Sequence, residues 1–286
     1  MAEIIDGKLV AAHIRAGIKE EIELLNREKG IVPGLAVVIV GDNPASLVYV
    51  RNKKKACEQV GINSYEIALP CDVSETELIR NIYALNNDPA VHGILVQLPL
   101  PKHINEQTVI EAIDPRKDVD AFNPANVGRI LIGNYTFLPC TPAGIIDLLD
   151  YYGIEISGKK CVILGRSNIV GKPMAHLLLE RNGTVTVCHS RTKNIEDEIR
   201  SADLLVVAIG KPEFVKGYMV KPGAVVIDVG INRGEDGKLY GDVEFSSVSA
   251  VASYITPVPG GVGPMTITTL LKNTLTSSKS FYGENN

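Results

Sequence analysis

Residues 161–183 read CVILGRSNIVGKPMAHLLLERNG, and this stretch decides the fold. A short apolar, β-branched run ends at Gly165, and a helical stretch begins after Gly171, so the segment reads strand, turn, helix. A glycine turn in that place lets backbone N–H groups approach a pyrophosphate, and the helix N-terminus adds partial positive charge. Ser167 stands where the usual G-x-G-x-x-G pattern has its middle glycine. On this pattern alone the segment also reads as an ordinary strand-to-helix turn. The next predicted strand, TVTVCHSR (184–191), ends about where NAD-binding folds place an acid for the ribose hydroxyls. It carries His189, Ser190 and Arg191 instead. A 2′-phosphate would be repelled by a carboxylate and held by a hydroxyl and a guanidinium, with Arg166 as a second cation in the turn. The pattern therefore favours NADP over NAD, unless the two arginines are ordinary surface charge.

The same alternation extends in both directions. Upstream, a helix is expected from about Lys8 to Lys29, then LAVVIV (35–40), then a helix with Pro44 in its first turn that stops at Gly61. SYEIAL, a helix from about Ser74 to Asn86, and GILVQLP follow. DPRKDVDAFNPANVGR (114–129) is polar and rich in turn residues, so it reads as a loop. PCTPAG opens a helix with Thr141 as candidate N-cap and Pro142 as first helical residue. Downstream come DLLVVAIG, AVVIDVG, a final helix over about 264–277 and a polar tail. Strands alternating with helices predict an α/β fold of two α/β units with a mostly parallel sheet, divided near residues 140–158; the final helix packs on either unit as far as the pattern tells.

The 286 residues suit about two domains. A composition 45% hydrophobic and 22% charged argues against wholesale disorder, and a net charge of -4 gives no support to a nucleic-acid partner. The five cysteines have no paired spacing and no C-x-x-C, which reads as reduced thiols and no metal site. Charges at Glu3, Asp6 and Lys8 interrupt any signal-like core, and no apolar run has membrane-spanning length. A cytoplasmic protein without a membrane partner is expected.

Three further stretches carry chemistry. In ASLVYVRNKKKACEQVGI (45–62), Tyr49 and Lys53 share a helix face, while Lys54 and Lys55 point elsewhere. Lys53 is either an exposed lysine beside a packed tyrosine or a cleft lysine with a lowered pKa, able to exchange protons near neutrality. Gln97 ends a buried strand, where α/β sheets bind ligands, and offers both a donor and an acceptor. Asp118 and Asp120 in KDVDAF are either turn caps or carboxylates able to take two parallel N–H bonds from a heterocycle edge. PVPGGVGP (257–264) is a loop poor in side chains, through which backbone can approach a flat ligand, or simply an elaborate helix entry.

Taken together and in order, YVRNK, GILVQLPLP, KDVDAF, PCTPAG, GRSNIVGKP, CHSRT, DVGIN, GDVEF and PVPGGVGPMT closely resemble the bifunctional methylenetetrahydrofolate dehydrogenase/methenyltetrahydrofolate cyclohydrolase family. The resemblance runs from IDGK at Ile5 to the final helix. It implies oxidation of 5,10-methylenetetrahydrofolate by NADP, hydrolysis of the methenyl product to 10-formyltetrahydrofolate in the same cleft, and a homodimer. It also implies two α/β domains with a cleft between them: a folate-binding catalytic domain of residues 1–140 plus the C-terminal helix 265–286, and an NADP-binding domain of residues 141–264 with a Rossmann-type parallel sheet. It further implies Lys53 as the catalytic lysine, Tyr49 as the substrate-stacking tyrosine, Gln97 as the residue that tunes the lysine, and Asp120 as the carboxylate that holds the pterin. Leu98, Pro99, Pro259, Gly260 and Gly261 would line the folate pocket. Gly165, Arg166, Ser167, Ser190, Arg191 and Ile231 would contact the cofactor. The family usually reads DVDGF, and here Ala121 replaces the glycine, which brings strain if that position needs a positive φ. A dehydrogenase without the hydrolytic step and a non-catalytic NADP-sensing protein are the alternatives; the retained Lys53, Tyr49 and Gln97 argue against both.

Overall fold

A computed structural model describes residues 1–283. In chain order the first half runs β1 (Glu3–Ile4), α1 (Gly7–Lys29), β2 (Gly34–Val40), α2 (Pro44–Val60), β3 (Asn63–Leu69), α3 (Glu75–Asn87), β4 (Gly93–Val96), α4 (Glu106–Ala112) and α5 (Pro124–Leu131). The second half runs α6 (Cys140–Tyr151), β5 (Lys160–Leu164), α7 (Gly171–Glu180), β6 (Thr184–Cys188), α8 (Ile195–Arg200), β7 (Leu204–Val207) and β8 (Val225–Asp228). It finishes with β9 (Asn232–Arg233), β10 (Leu239–Tyr240), α9 (Phe245–Val248), β11 (Tyr254–Ile255) and α10 (Val262–Phe281).

The chain forms two compact units, Met1–Ala12 with Thr141–Thr266, and His13–Cys140 with Ile267–Asn286. By its contacts the segment Met1–Ala12 groups with Thr141–Thr266, whereas the sequence places it with the rest of 1–140. The reason is β-pairing at long range: β1 lies parallel to β11, with Glu3 opposite Tyr254 and Ile4 opposite Ile255.

The His13–Cys140 unit is built on a parallel three-stranded sheet of order β3-β2-β4. Every residue of β2 is buried, as expected of a central strand covered on both faces. Leu35, Val37 and Ile39 face one cluster, with Ile18 and Ile22 of α1, Cys57 of α2 and Leu271 of α10. Ala36, Val38 and Val40 face the other, with Leu78 and Ile82 of α3 and Val109 of α4. Helix starts are set by local capping. Ser74 accepts the Glu77 N–H at 3.2 Å in an S-x-x-E start. Asn105 caps α4, and Asn123 caps α5 with Pro124 in its first turn. Helix α5 thus begins inside the stretch expected to be loop, where the turn residues Asn123 and Pro124 start a helix.

The other unit holds a six-stranded sheet of order β1-β11-β8-β7-β5-β6, with parallel neighbours throughout. Connections run outward from the β5–β7 pair, to β6 on one side and β8 on the other, which is the switch point of a doubly wound sheet. Val162, Leu164, Leu205, Val207, Val226 and Ile255 are buried in one cluster on this sheet. Helix α6 starts at Cys140, so Thr141 is not its N-cap. Its hydroxyl instead meets that of Thr266 at 3.0 Å. Helix α10 continues past the expected end at Ser277. Ser277 and Ser278 are fully buried, and the Ser277 hydroxyl reaches the carbonyls of His92 at 2.6 Å and Arg116 at 2.9 Å. Among the described residues, no helix is long and apolar enough to cross a membrane, and no group of three or more His, Cys, Asp or Glu could hold a metal ion.

Candidate active site and cofactor turn

In the His13–Cys140 unit the site grows from α2, the end of β4 and the loop 117–123. Helix periodicity puts Lys53 on the inner face of α2, where it is 8% exposed, while Lys54 and Lys55 face solvent. The spacing alone allowed an exposed lysine beside a packed tyrosine; the arrangement is the reverse, with Tyr49 40% exposed one turn earlier. Lys53 Nζ donates to Gln97 Oε1 at 2.9 Å, and Gln97 Nε2 donates to the Leu98 carbonyl at 2.8 Å. The second bond fixes the amide so that its oxygen must face the lysine. Burial pushes the Lys53 pKa below its ordinary value; the charges of Asp120, Cys140 and Cys57 pull it back part of the way. Burial, followed by the Asp120 charge, holds the Cys140 thiol well above its usual range.

The Asp120 loop is built from inside. Asp118 is buried; its Oδ2 accepts the Asn123 N–H at 2.8 Å and Asn126 Nδ2 at 2.9 Å. Burial pushes its carboxyl up to about 6 against those two donors. Of the two acids in KDVDAF, Asp118 is thus the turn anchor and Asp120 the partly exposed one. Ala121, which follows them, has φ 58° and is completely buried, so the position does require the left-handed conformation. The Ile94 N–H donates to the Lys117 carbonyl at 2.7 Å, and Gly93 makes room for Val119, whose Cγ1 would lie 2.9 Å from an added Cβ. Asn273 of α10, not singled out in the sequence, donates through Nδ2 to the carbonyls of Val119 at 2.8 Å and Leu138 at 2.9 Å. It ties the residue before Asp120 to the segment leading into Cys140. Leu98 is partly buried and Pro99 exposed beyond β4, joined by a cis peptide bond.

The remaining candidates lie in the other unit. Gly165 follows β5 with φ 118°, and a Cβ there would overlap the Ala208 carbonyl. A Cβ at Gly171 would overlap the Gly165 carbonyl. Both glycines are therefore demanded by close backbone approach. The residue in place of the middle glycine has its own part in the turn. Ser167 Oγ accepts the N–H of Val170 at 3.1 Å and of Gly171 at 3.4 Å, ordering the entry to α7. Arg166 and Ser167 are exposed in this turn. At the end of β6, Thr192 Oγ1 accepts the His189 N–H at 2.9 Å and His189 Nδ1 accepts the Arg191 N–H at 3.1 Å. That local turn presents Ser190 and Arg191 to solvent. Ile231 is 46% exposed after β8. In the loop between β11 and α10, Gly260 has φ 112°, and the Gly261 carbonyl occupies the space a side chain at Gly7 would need.

A glycine cradle at a strand end, exposed cations and no acid after β6 fit a nicotinamide dinucleotide carrying a 2′-phosphate. In line with this, residues 5–120 match the catalytic domain of tetrahydrofolate dehydrogenase/cyclohydrolase, and residues 139–282 match the NAD(P)-binding domain of the same enzymes. The chain belongs to the tetrahydrofolate dehydrogenase/cyclohydrolase family. It is 62% identical over 278 residues to the bifunctional protein FolD of Acetivibrio thermocellus, covering 97% of both chains. The crystal structure of the bifunctional FolD enzyme from Campylobacter jejuni superposes with a TM-score of 0.96 at 51% identity, over 98% of this chain and 100% of that one. The Trypanosoma brucei enzyme, solved with NADP and an inhibitor, gives a TM-score of 0.95 at 44% identity, over 99% of each chain.

Proposed function

We propose that this family member oxidises 5,10-methylenetetrahydrofolate with NADP and hydrolyses the methenyl product to 10-formyltetrahydrofolate. The observation that carries the reading is the buried Lys53–Gln97 pair. A lysine held below its ordinary pKa exists partly as free amine and can accept a proton, which a surface lysine at neutral pH does poorly. Donation of one N–H to Gln97 leaves the amine lone pair to face the substrate. In hydrolysis it takes a proton from the attacking water and returns one to the departing ring nitrogen; the remaining proton goes to solvent. The oxidative step needs no protein acid, only alignment of the two rings. When bound, the nicotinamide supplies the hydride acceptor.

Tyr49, exposed one turn from Lys53, offers its ring for stacking on the pterin. The Asp120 carboxylate accepts from the pterin's amidine-like edge, with Leu98, Pro99 and the Pro259–Gly261 loop as apolar and backbone lining. Gly165, Ser167 and Ile231 approach the dinucleotide, while Arg166, Ser190 and Arg191 take the 2′-phosphate. The protein works as a homodimer in the cytoplasm, with folate derivatives and no nucleic acid as partners.

The test supplies methylenetetrahydrofolate with NADP or NAD, follows methenyl formation by absorbance, then measures methenyl hydrolysis without nucleotide. Both activities in the wild type are expected. Asp120→Ala should weaken folate affinity about tenfold, the equivalent of one charged hydrogen bond, and leave NADP affinity in place. Equal losses in the two affinities would remove Asp120 from the substrate site.

A further inference from the structure

We propose that Asp242 is a positioning residue for the dinucleotide: one buried carboxylate holds the loops that follow β7 and β8 in the shape that receives it. The proposal rests on the reading of this face as the cofactor face. Both loops leave the carboxyl ends of strands in the doubly wound sheet, beside the β5–β7 switch point where such sheets bind ligands.

Asp242 is 0% exposed. Its Oδ2 accepts the N–H of Ile209 at 2.7 Å and of Gly210 at 2.9 Å, and its Oδ1 accepts the N–H of Lys211 at 2.8 Å and Asn232 Nδ2 at 2.9 Å. Three consecutive backbone donors after β7 converge on one side chain, so the shape of that loop depends on this carboxylate. The tip of that loop, Gly210 to Pro212, remains exposed. A second buried acid locks the clamp: Asp228 Oδ1 accepts the N–H of Gly230 and of Asp242, each at 2.9 Å, and Oδ2 accepts that of Val243 at 2.9 Å. Ile231, exposed between them, is thereby flanked by two anchored residues, Gly230 on Asp228 and Asn232 on Asp242. Gly230 and Gly241 admit the interlock, since a Cβ at either would overlap the carboxylate of Asp242 or of Asp228. The two oxygens of Asp242 satisfy four donors; an amide there keeps one accepting oxygen and turns two N–H groups toward donors.

Full-length Asp242→Asn is compared with wild type by calorimetric titration of NADP and of NAD, by nucleotide-free methenyl hydrolysis, and by thermal unfolding. The expected result is a rise of about tenfold in Kd for both nucleotides by the same factor, with hydrolysis retained. Asn232→Ala, which removes one donor and leaves the β7 loop held, should raise both constants by a smaller factor and stays informative if Asp242→Asn does not fold. A lower unfolding temperature with unchanged Kd values, parallel loss of hydrolysis, or an Asn232→Ala protein with wild-type affinities would overturn the proposal. A wild type that binds neither nucleotide would sink the reading of this face, and the proposal with it.

Discussion

Lys53 Nζ and the Gln97 amide oxygen lie 2.9 Å apart across 44 residues of sequence, and Gln97 is held in that orientation by its own bond to the Leu98 carbonyl. A helix face and a strand end thus meet in one hydrogen-bonded pair, and under the proposed function this pair is the proton-transfer unit, its amide already oriented by the Leu98 carbonyl.

Lys53→Ala is expected to lower methenyl hydrolysis about 10²- to 10⁴-fold, the range for a lost general acid–base, with circular dichroism unchanged. Lys54→Ala, exposed on the same helix, should leave the rate intact. In wild type the rate should climb with pH as the amine loses its proton, in a window below 10.5, the ordinary lysine value. Gln97→Leu removes an acceptor that favours the charged form, so the surviving activity should shift its rising limb to lower pH. Equal hydrolysis by the two lysine variants would refute the assignment.

Arg166→Ala and Ser190→Ala should raise the Michaelis constant for NADP about tenfold while changing that for NAD little, because only NADP has the 2′-phosphate. This contrasts with Asp242→Asn, for which both cofactors should suffer alike. Steady-state kinetics with each cofactor separates the two patterns. A wild type preferring NAD would sink the assignment.

Ala121→Gly is expected to change stability by less than about 1 kcal/mol. Holding an L-residue left-handed costs about 1–2 kcal/mol. Against this, the alanine methyl is buried beside Ile130 and Phe137, worth roughly 0.8 kcal/mol, and glycine gives the unfolded chain more entropy to lose, about 0.4–1 kcal/mol. The opposing effects nearly cancel. Ala121→Val adds bulk and β-branching at φ 58° and should destabilise by several times more, measurable by urea unfolding.

His92 should make the protein less stable in acid. Its Nδ1 accepts the Gly34 N–H at 3.0 Å, and its buried Nε2, beside the rings of Phe281 and Tyr282, meets no acceptor among the described residues. Burial, then the nearby Lys117 charge, lowers its pKa below 6.5. The unfolded chain takes up a proton below that pH that the folded chain refuses, so His92's contribution is present above about 6.5 and fades as the pH falls. Asp118 and Asp228, which burial pushes up to about 6, act with the opposite sign in the same window. The readout is therefore the difference between wild type and His92→Gln: the variant should lose up to about 1.4 kcal/mol per pH unit of acid sensitivity. Parallel pH–stability curves would refute it.

What was legible in the sequence was what the local chain dictates. The period of 3.6 put Tyr49 and Lys53 on one face, Gly165 and Gly171 marked a turn without room for side chains, and the alternation of apolar runs with helices announced a parallel α/β fold. Periodicity says which residues share a face and is silent on which way the face points, so the burial of Lys53 and the exposure of Tyr49 were decided only by what packs against α2. Helix α5 escaped because its start depends on Asn123 capping and lies within a stretch crowded with charges and turn residues. Three assignments rest on partners far apart in sequence: β1 on β11, Asn273 on Val119, and Asp242 on the loop at 209–211. A carboxylate or amide looks the same in sequence whether it meets water or four buried N–H groups. Only the tertiary fold, by removing water and converging those donors, makes the difference.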